Sequence, residues 1–258
     1  MRYGIALTLA SCGASLSYAL PAAAQVNIEA LRGDFRDKGA LASLEGSFTG
    51  RTGNVRNIVA GAGAIGAARY KRNGFFGSTQ FDYASYDART AVSKSFIHLR
   101  YDYEVLYWFF PEVYVQQQQD KFQRLLLREL AGIGPRFVLS DEEEFRFALG
   151  TSYMFEYERI SVPTGAPDDP RTTAHRWSTY ATATWKMDDA IRMVATIYGQ
   201  PRIDRWSDVR VLFESAVVTS LGKRVALKLL VTMRYDSEPP TTVKNTDLEV
   251  KNAFVLKF

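Results

Sequence analysis

The sequence predicts an all-β chain folded as an antiparallel transmembrane β-barrel of about 12 strands, with both termini on the periplasmic side. Three observations carry that expectation. Apolar and polar residues alternate in segment after segment, the final stretch ends on an aromatic residue, and short and long connections alternate along the chain. Alternation with period two belongs to a strand with one apolar and one polar face. Strands of this length suit a tilted crossing of about ten residues rather than the five or six usual in soluble sheets.

The final stretch, 247–258, places Leu248, Val250, Phe254, Leu256 and Phe258 on one face, with Asn252 the exception. Phe254, Leu256 and Phe258 read as the closing-strand signal by which an assembly machinery recognises such a barrel. Replacing Phe258 by Asp is therefore expected to lower membrane-inserted protein severalfold, measured as the heat-modifiable band in the membrane fraction. An unchanged level would remove that role.

At the other end, residues 1–24 read as a secretory signal peptide. Arg2 gives a positive start, 3–20 is mostly apolar, and Pro21-Ala22-Ala23-Ala24 offers a small-residue cleavage site. Leu9-Ala10-Ser11-Cys12 resembles a lipoprotein box, but only eight residues precede it and a second apolar run follows. Either route exports the chain. Cleavage after Ala24 removes Cys12, the only cysteine, so thiolate metal sites and disulfide scaffolds are excluded for the mature protein. Residues 25–39 read as a periplasmic lead-in, and 40–258 as the barrel.

Twelve segments then follow in order: 40–50, 54–70, 74–87, 93–108, 112–121, 123–139, 144–160, 173–187, 190–203, 208–220, 223–236 and 246–258. In the fourth, Ile97, Leu99, Tyr101, Tyr103, Val105 and Tyr107 oppose His98, Arg100, Asp102 and Glu104. The connections after even segments are short, whereas two long, Pro-bearing ones, 161–172 and 237–245, follow odd segments. Short periplasmic turns and longer outer loops are the asymmetry of outer-membrane barrels, and a soluble sandwich gives no reason for it. Trp108 and Trp185 fall at periplasmic strand ends and Trp177 and Trp206 at outer ends, as interface girdles require. Two segments fit poorly. Glu129 shares the lipid face of the sixth with Leu125, Leu127, Ala131, Ile133 and Phe137, and the fifth is polar on both faces through Gln116-Gln117-Gln118-Gln119.

The run Arg124-Leu125-Leu126-Leu127-Arg128 before Gly132-Ile133-Gly134 resembles the sixth strand of domain-of-unknown-function family 481 (DUF481). Trp206 to Arg210, Arg224 to Tyr235 and Val243-Lys244-Asn245-Thr246-Asp247 are similar to its late motifs. The likeness covers nearly all of the mature chain, though Thr246-Asp247 lacks the family's second Thr and Glu129-Leu130-Ala131 interrupts the usual apolar run. Members are often labelled salt-induced outer membrane proteins. The resemblance implies fold, location and a link to envelope or salt stress, and supplies no catalytic residue.

The chemistry available to the residues is limited. With 2 histidines and no mature cysteine, zinc-type sites are nearly excluded, and no cofactor is expected. A net charge of +4 is too small to imply a nucleic-acid partner. His98 faces the lumen; catalysis would need a serine and an orienting partner in reach, with Ser95 one candidate. The pairs Asp102/Glu104 and Glu156/Glu158 have a spacing of roughly 7 Å that suits acid–base work, and equally that of any polar-in strand. The candidate lumen set is Arg100, Arg128, Arg146, Arg176, Arg192, Arg210, Lys228 and Arg234 with His98, Asp102, Glu104, Glu156 and Glu214. That set leans basic, which suggests a narrow pore preferring anions. The alternatives are a plugged structural barrel and a lipid-modifying enzyme. Expected partners are outer-membrane lipid and lipopolysaccharide, with periplasmic chaperones and barrel-assembly machinery during biogenesis, around a monomer.

Overall fold

The computed structural model describes residues 39–51, 57–86, 89–121 and 123–257. The stretch read from the sequence as a signal peptide, the expected lead-in up to residue 38, and Phe258 lie outside these residues. Twelve strands form one closed antiparallel barrel: β1 (Ala40–Arg51), β2 (Asn57–Tyr70), β3 (Asn73–Tyr86), β4 (Arg89–Tyr103), β5 (Phe109–Asp120), β6 (Leu125–Asp141), β7 (Phe145–Ile160), β8 (Arg171–Lys186), β9 (Ile191–Pro201), β10 (Val209–Ser220), β11 (Val225–Asp236) and β12 (Thr246–Lys257). Each pairs with its sequence neighbours. The seam closes β12 on β1, from Ser43 opposite Lys257 to Gly46 opposite Phe254. Closure removes the open sheet edge that could not cross hydrocarbon, and the seam ladder that achieves it is short, four residue pairs.

The distribution of side chains is inverted relative to a soluble protein. Leu44, Phe75, Leu99, Val113, Ile133, Ile197, Leu229, Val250 and Phe254 are exposed on the outer wall, while Lys94, Arg100, Asp120, Glu156, Arg176, Glu214 and Glu249 are buried within. Apolar-out, polar-in alternation is the signature of a transmembrane barrel. Among the described residues no helix is long and apolar enough to cross a membrane. The long connections, 161–170, 202–208 and 237–245, gather at one end of the barrel, here termed the loop end; 71–72, 142–144 and 221–224 close the other, the turn end.

Three departures from the expected strand map have physical causes. First, β4 stops at Tyr103 and the chain turns through 104–108, so Val105 and Tyr107 belong to a turn, closed by the Leu106–Phe109 bridge. Second, β5 starts at Phe109, and Pro111 faces Pro135 across the β5–β6 ladder, a pair in which neither residue has an N–H to donate. Third, a bulge between Leu125 and Leu127 turns Leu125 into the lumen at 2 % exposure and Leu126 outward. An extra residue reverses the face of everything on one side of it. Glu129 does point outward, yet without conflict. Ile133 pairs with Tyr153 and Tyr153 with Trp177, so Glu129, four residues nearer the loop end, lies beyond the level of that tryptophan.

Candidate functional site: the lumen

The waist of the lumen is built on β4 to β8. Tyr114 on β5 faces Gly132 on β6, and Tyr180 on β8 faces Gly150 on β7. An added Cβ would lie 2.2 Å from the Tyr114 ring at Gly132 and 2.1 Å from the Tyr180 ring at Gly150, so each ring lies flat on a glycine. Glycine is required here for close approach. The guanidinium of Arg100 sits 5.5 Å from both ring centroids, a double cation–π contact. Glu112 ties the cluster together, accepting from Tyr180 Oη at 2.8 Å and from Arg100 Nη1 at 3.3 Å. Arg136 Nη1 donates to Tyr180 Oη at 3.0 Å.

His98 adjoins this waist. Its ring stacks between Phe96 and Tyr114, and Nδ1 lies 3.4 Å from Gln116 Oε1. Ser95 is on the opposite face of β4, beside outward Ile97. The serine–histidine pair considered from sequence is therefore not assembled by these two residues. Asp102 and Glu104 meet Arg69 at 3.3 Å and 3.0 Å instead of acting as a free carboxylate pair, and Glu104 lies just past the end of β4.

Nearer the loop end, Arg210 on β10 reaches across the barrel to β7. It donates to Glu156 at 2.6 Å and Glu158 at 3.2 Å, and to Asp236 on β11 at 2.8 Å. Arg128 contacts Glu158 at 2.6 Å, and Arg176 bridges Glu156 at 3.4 Å and Asp208 at 3.1 Å. Two more bridges lie on the other side of the lumen. Lys251 on β12 meets Asp82 on β3 at 2.6 Å, and Lys228 on β11 meets Glu45 on β1 at 2.8 Å. Arg234 lies 3.9 Å from Glu249. Glu214 pairs cross-strand with Thr196 and Thr232, and neither carboxylate oxygen has a hydrogen-bond partner among the described residues. Arg146 sits at the turn end beside Asp141 at 3.2 Å, and Arg192 lies opposite Lys186. Neither belongs to the waist.

The basic lean read from the sequence is offset. Glu45, Asp82, Glu112, Asp120 and Asp208 also face inward, and each sits against a lysine or arginine. A cavity of about 100 Å³ beneath the loops is lined by Gln116, Gln118, Arg128, Glu158, Arg210 and Asp247 among others. The tryptophans occupy both ends of the outer wall. Trp185 pairs with Phe145 and Trp108 stacks on Phe137 at the turn end, Trp177 lies toward the loop end, and exposed Trp206 is in the β9–β10 loop.

Over the loop end, three connections are clasped together. Arg124 donates to Ser161 O at 2.6 Å, to Thr241 O, and to Asp168 at 3.3 Å. Asp168 accepts from Thr241 N and Oγ1 at 2.9 and 3.0 Å, and Gln123 donates to Asp247 at 2.6 Å. Arg124 and Thr242 have φ of 58° and 74°, a backbone region that non-glycine residues enter only when held there. The Thr241 amide, its hydroxyl and the Arg124 guanidinium hold the Asp168 carboxyl below the usual carboxylate range. A depressed carboxyl stabilises the clasp above its unfolded value, and that contribution is lost as pH falls through the folded one. Amide protection at Thr241, corrected for intrinsic exchange, is thus expected to fall severalfold below about pH 4. Asp168→Asn should flatten this dependence; a pH-independent wild type would refute the clasp.

A protein-family model described as "Protein of unknown function, DUF481" matches residues 45–258. The chain belongs to the DUF481 family. No curated protein compared with this DUF481 chain matches it in sequence. Among solved structures it is similar to the NanC porin, with TM-score 0.49 and 6% identity over 84% of this chain and 97% of that one. It is also similar to the KdgM porin, with TM-score 0.45 and 7% identity over 84% and 96%. The translocator domain of the autotransporter NalP from Neisseria meningitidis gives 0.45 and 8% over 85% and 87%.

Within this DUF481 barrel, sequence reasoning missed Glu112, Tyr114 and Tyr180 as a unit, because β5 looked too polar to place. The usable signal was the alternation Phe110, Glu112, Tyr114, Gln116, Gln118, Asp120, all of which face inward. No group of three or more metal-ligating side chains occurs among the described residues.

Proposed function

We propose that this protein is a monomeric, narrow pore of the bacterial outer membrane, with its loop end outside and its turn end periplasmic. Its lumen is closed at rest and passes small polar solutes when the waist opens. The observation that carries this is the composition of the closure. Among the described residues the waist of the lumen holds side chains of the wall itself, joined through Glu112 to Tyr180 and Arg100. Side chains change rotamer without unfolding a strand, so such a closure can open. The inward charges are largely paired, which weakens the case for strong anion preference, since a selective ring needs uncompensated charge. Export, chaperone escort and assembly-machine recognition of the last strand follow from the same reading, as does contact with lipopolysaccharide at the outer rim. A role in envelope stress is part of the same proposal.

The test is single-channel conductance of the refolded mature chain in a planar bilayer under a salt gradient. Brief openings with a reversal potential near zero would support the pore. If wild type and the waist variants discussed below are all silent while heat-modifiable, the barrel is structural, and lipid hydrolysis becomes the next assay.

A further inference from the structure

The outer wall of β2 is lined by small residues: Ala60, Ala62, Ala64, Gly66 and Ala68 share the face that carries Leu44 on β1 and Phe75 on β3. Toward the turn end this wall is hollowed. A largely apolar groove of 650 Å³ runs over Gly66, Ala68 and Gly77, walled by Phe75, Leu99 and Val115. Two further features sit below it on the same outer wall. Tyr101 on the groove's edge donates its hydroxyl to Asn73 at 2.7 Å, and exposed Tyr70 follows Ala68 on the same face. The ammonium of Lys71 lies 5.4 Å from the Tyr70 ring, so a cation is held outside the barrel just past the groove, with exposed Arg72 beside it.

The order from mid-wall to rim is thus an apolar groove, tyrosine hydroxyls, then two cations. That is the order of acyl chain, ester region and phosphate in a phospholipid. The geometry points to a lipid site: the groove holds an acyl chain of a phospholipid with net negative charge, and Lys71 and Arg72 meet its phosphate. The occupant is a phospholipid of the periplasmic leaflet because the cations are at the turn end, an assignment that rests on the orientation proposed above. A smooth wall would leave annular lipid unsorted; a groove gives one chain more dispersion contact than its neighbours have. A Lys or Arg near an anionic headgroup adds about 1 kcal/mol each, or about fivefold in preference.

Gly66 allows a clean test, since a Cβ there meets no atom within 4 Å and its backbone has no positive φ. Gly66→Leu should fill the groove without touching the strand pairing. The full mature chain is refolded into vesicles of equal phosphatidylglycerol and phosphatidylcholine, extracted, and weighed by native mass spectrometry for retained lipid. Wild type is expected to retain phosphatidylglycerol in preference. Gly66→Leu should lose most retention of either lipid while remaining heat-modifiable. Lys71→Asn, which tolerates the left-handed backbone at 53°, and Arg72→Gln should each lower the preference about fivefold and together make it near unity. Equal retention in wild type and Gly66→Leu, or no preference in wild type, overturns the site. Loss of heat-modifiability in wild type would instead overturn the membrane barrel itself, and conductance does not enter either outcome.

Discussion

Glu112→Gln is expected to destabilise the folded barrel by about 3–5 kcal/mol and to raise the conductance of the pore. Glu112 is 5 % exposed and accepts from both Tyr180 and Arg100, itself 5 % exposed. A neutral amide keeps the size of the side chain but leaves the Arg100 guanidinium without its carboxylate in a nearly dry setting. Breaking one side of a buried pair costs more than the pair contributes, because the remaining charge stays desolvated. Part of that cost is offset by the two tyrosine faces on which Arg100 lies. The variant therefore relaxes by letting Arg100 leave the waist, and an open waist conducts. Urea midpoints of the heat-modifiable form measure the first effect, and open probability in a bilayer the second. The double variant Glu112→Leu with Arg100→Met should recover most of the stability while remaining closed, since apolar groups replace both charges. A Glu112→Gln barrel with wild-type midpoint and wild-type open probability would remove the waist from the mechanism.

That pairing shows where legibility in the sequence ends. Inward residues alternate visibly, so His98, Arg100, Asp102, Glu156, Arg176, Arg210 and Lys228 were placed in the lumen from period two alone, and the structure buries or half-buries each there. What period two lacks is the angular and vertical offset between distant strands. Tyr180 and Glu112 are 68 residues apart, and Arg210 and Glu156 are 54. Their meeting is fixed by closure and stagger of the barrel, which no single strand encodes. Bulges cause the second loss. A continuous register assigns Leu125 to the lipid face, and one extra residue at Leu125/Leu127 reverses it. The turn at 104–108 was hidden for a related reason: Val105 and Tyr107 continue the alternation after pairing has stopped.

Gly134→Ala is expected to cost about 3 kcal/mol or more and to reduce the heat-modifiable yield severely. Between the pairs Ile133–Tyr153 and Arg136–Gly150, β6 runs so close to β7 that a Cβ on Gly134 would lie 2.0 Å from Thr151 O and 2.5 Å from Ser152 Cα. Those are backbone atoms in a closed sheet and have no rotamer by which to move. The added methyl must separate the two strands, and their hydrogen bonds with them, inside a barrel whose circumference is fixed by twelve pairings. Two other glycines serve as controls because their neighbours differ. Gly66→Ala meets nothing within 4 Å and should fold as wild type, with the modest gain of a glycine removed from a strand. At Gly132 the three atoms nearest an added Cβ all belong to Tyr114, whose ring can swing, so Gly132→Ala should fold yet disturb the waist and its conductance. Urea midpoints and gel mobility of the three variants give the ranking. If Gly134→Ala equals Gly66→Ala, the approach of β6 to β7 is not tight, and the stagger that sets Tyr114 and Tyr180 over their glycines is held by something else.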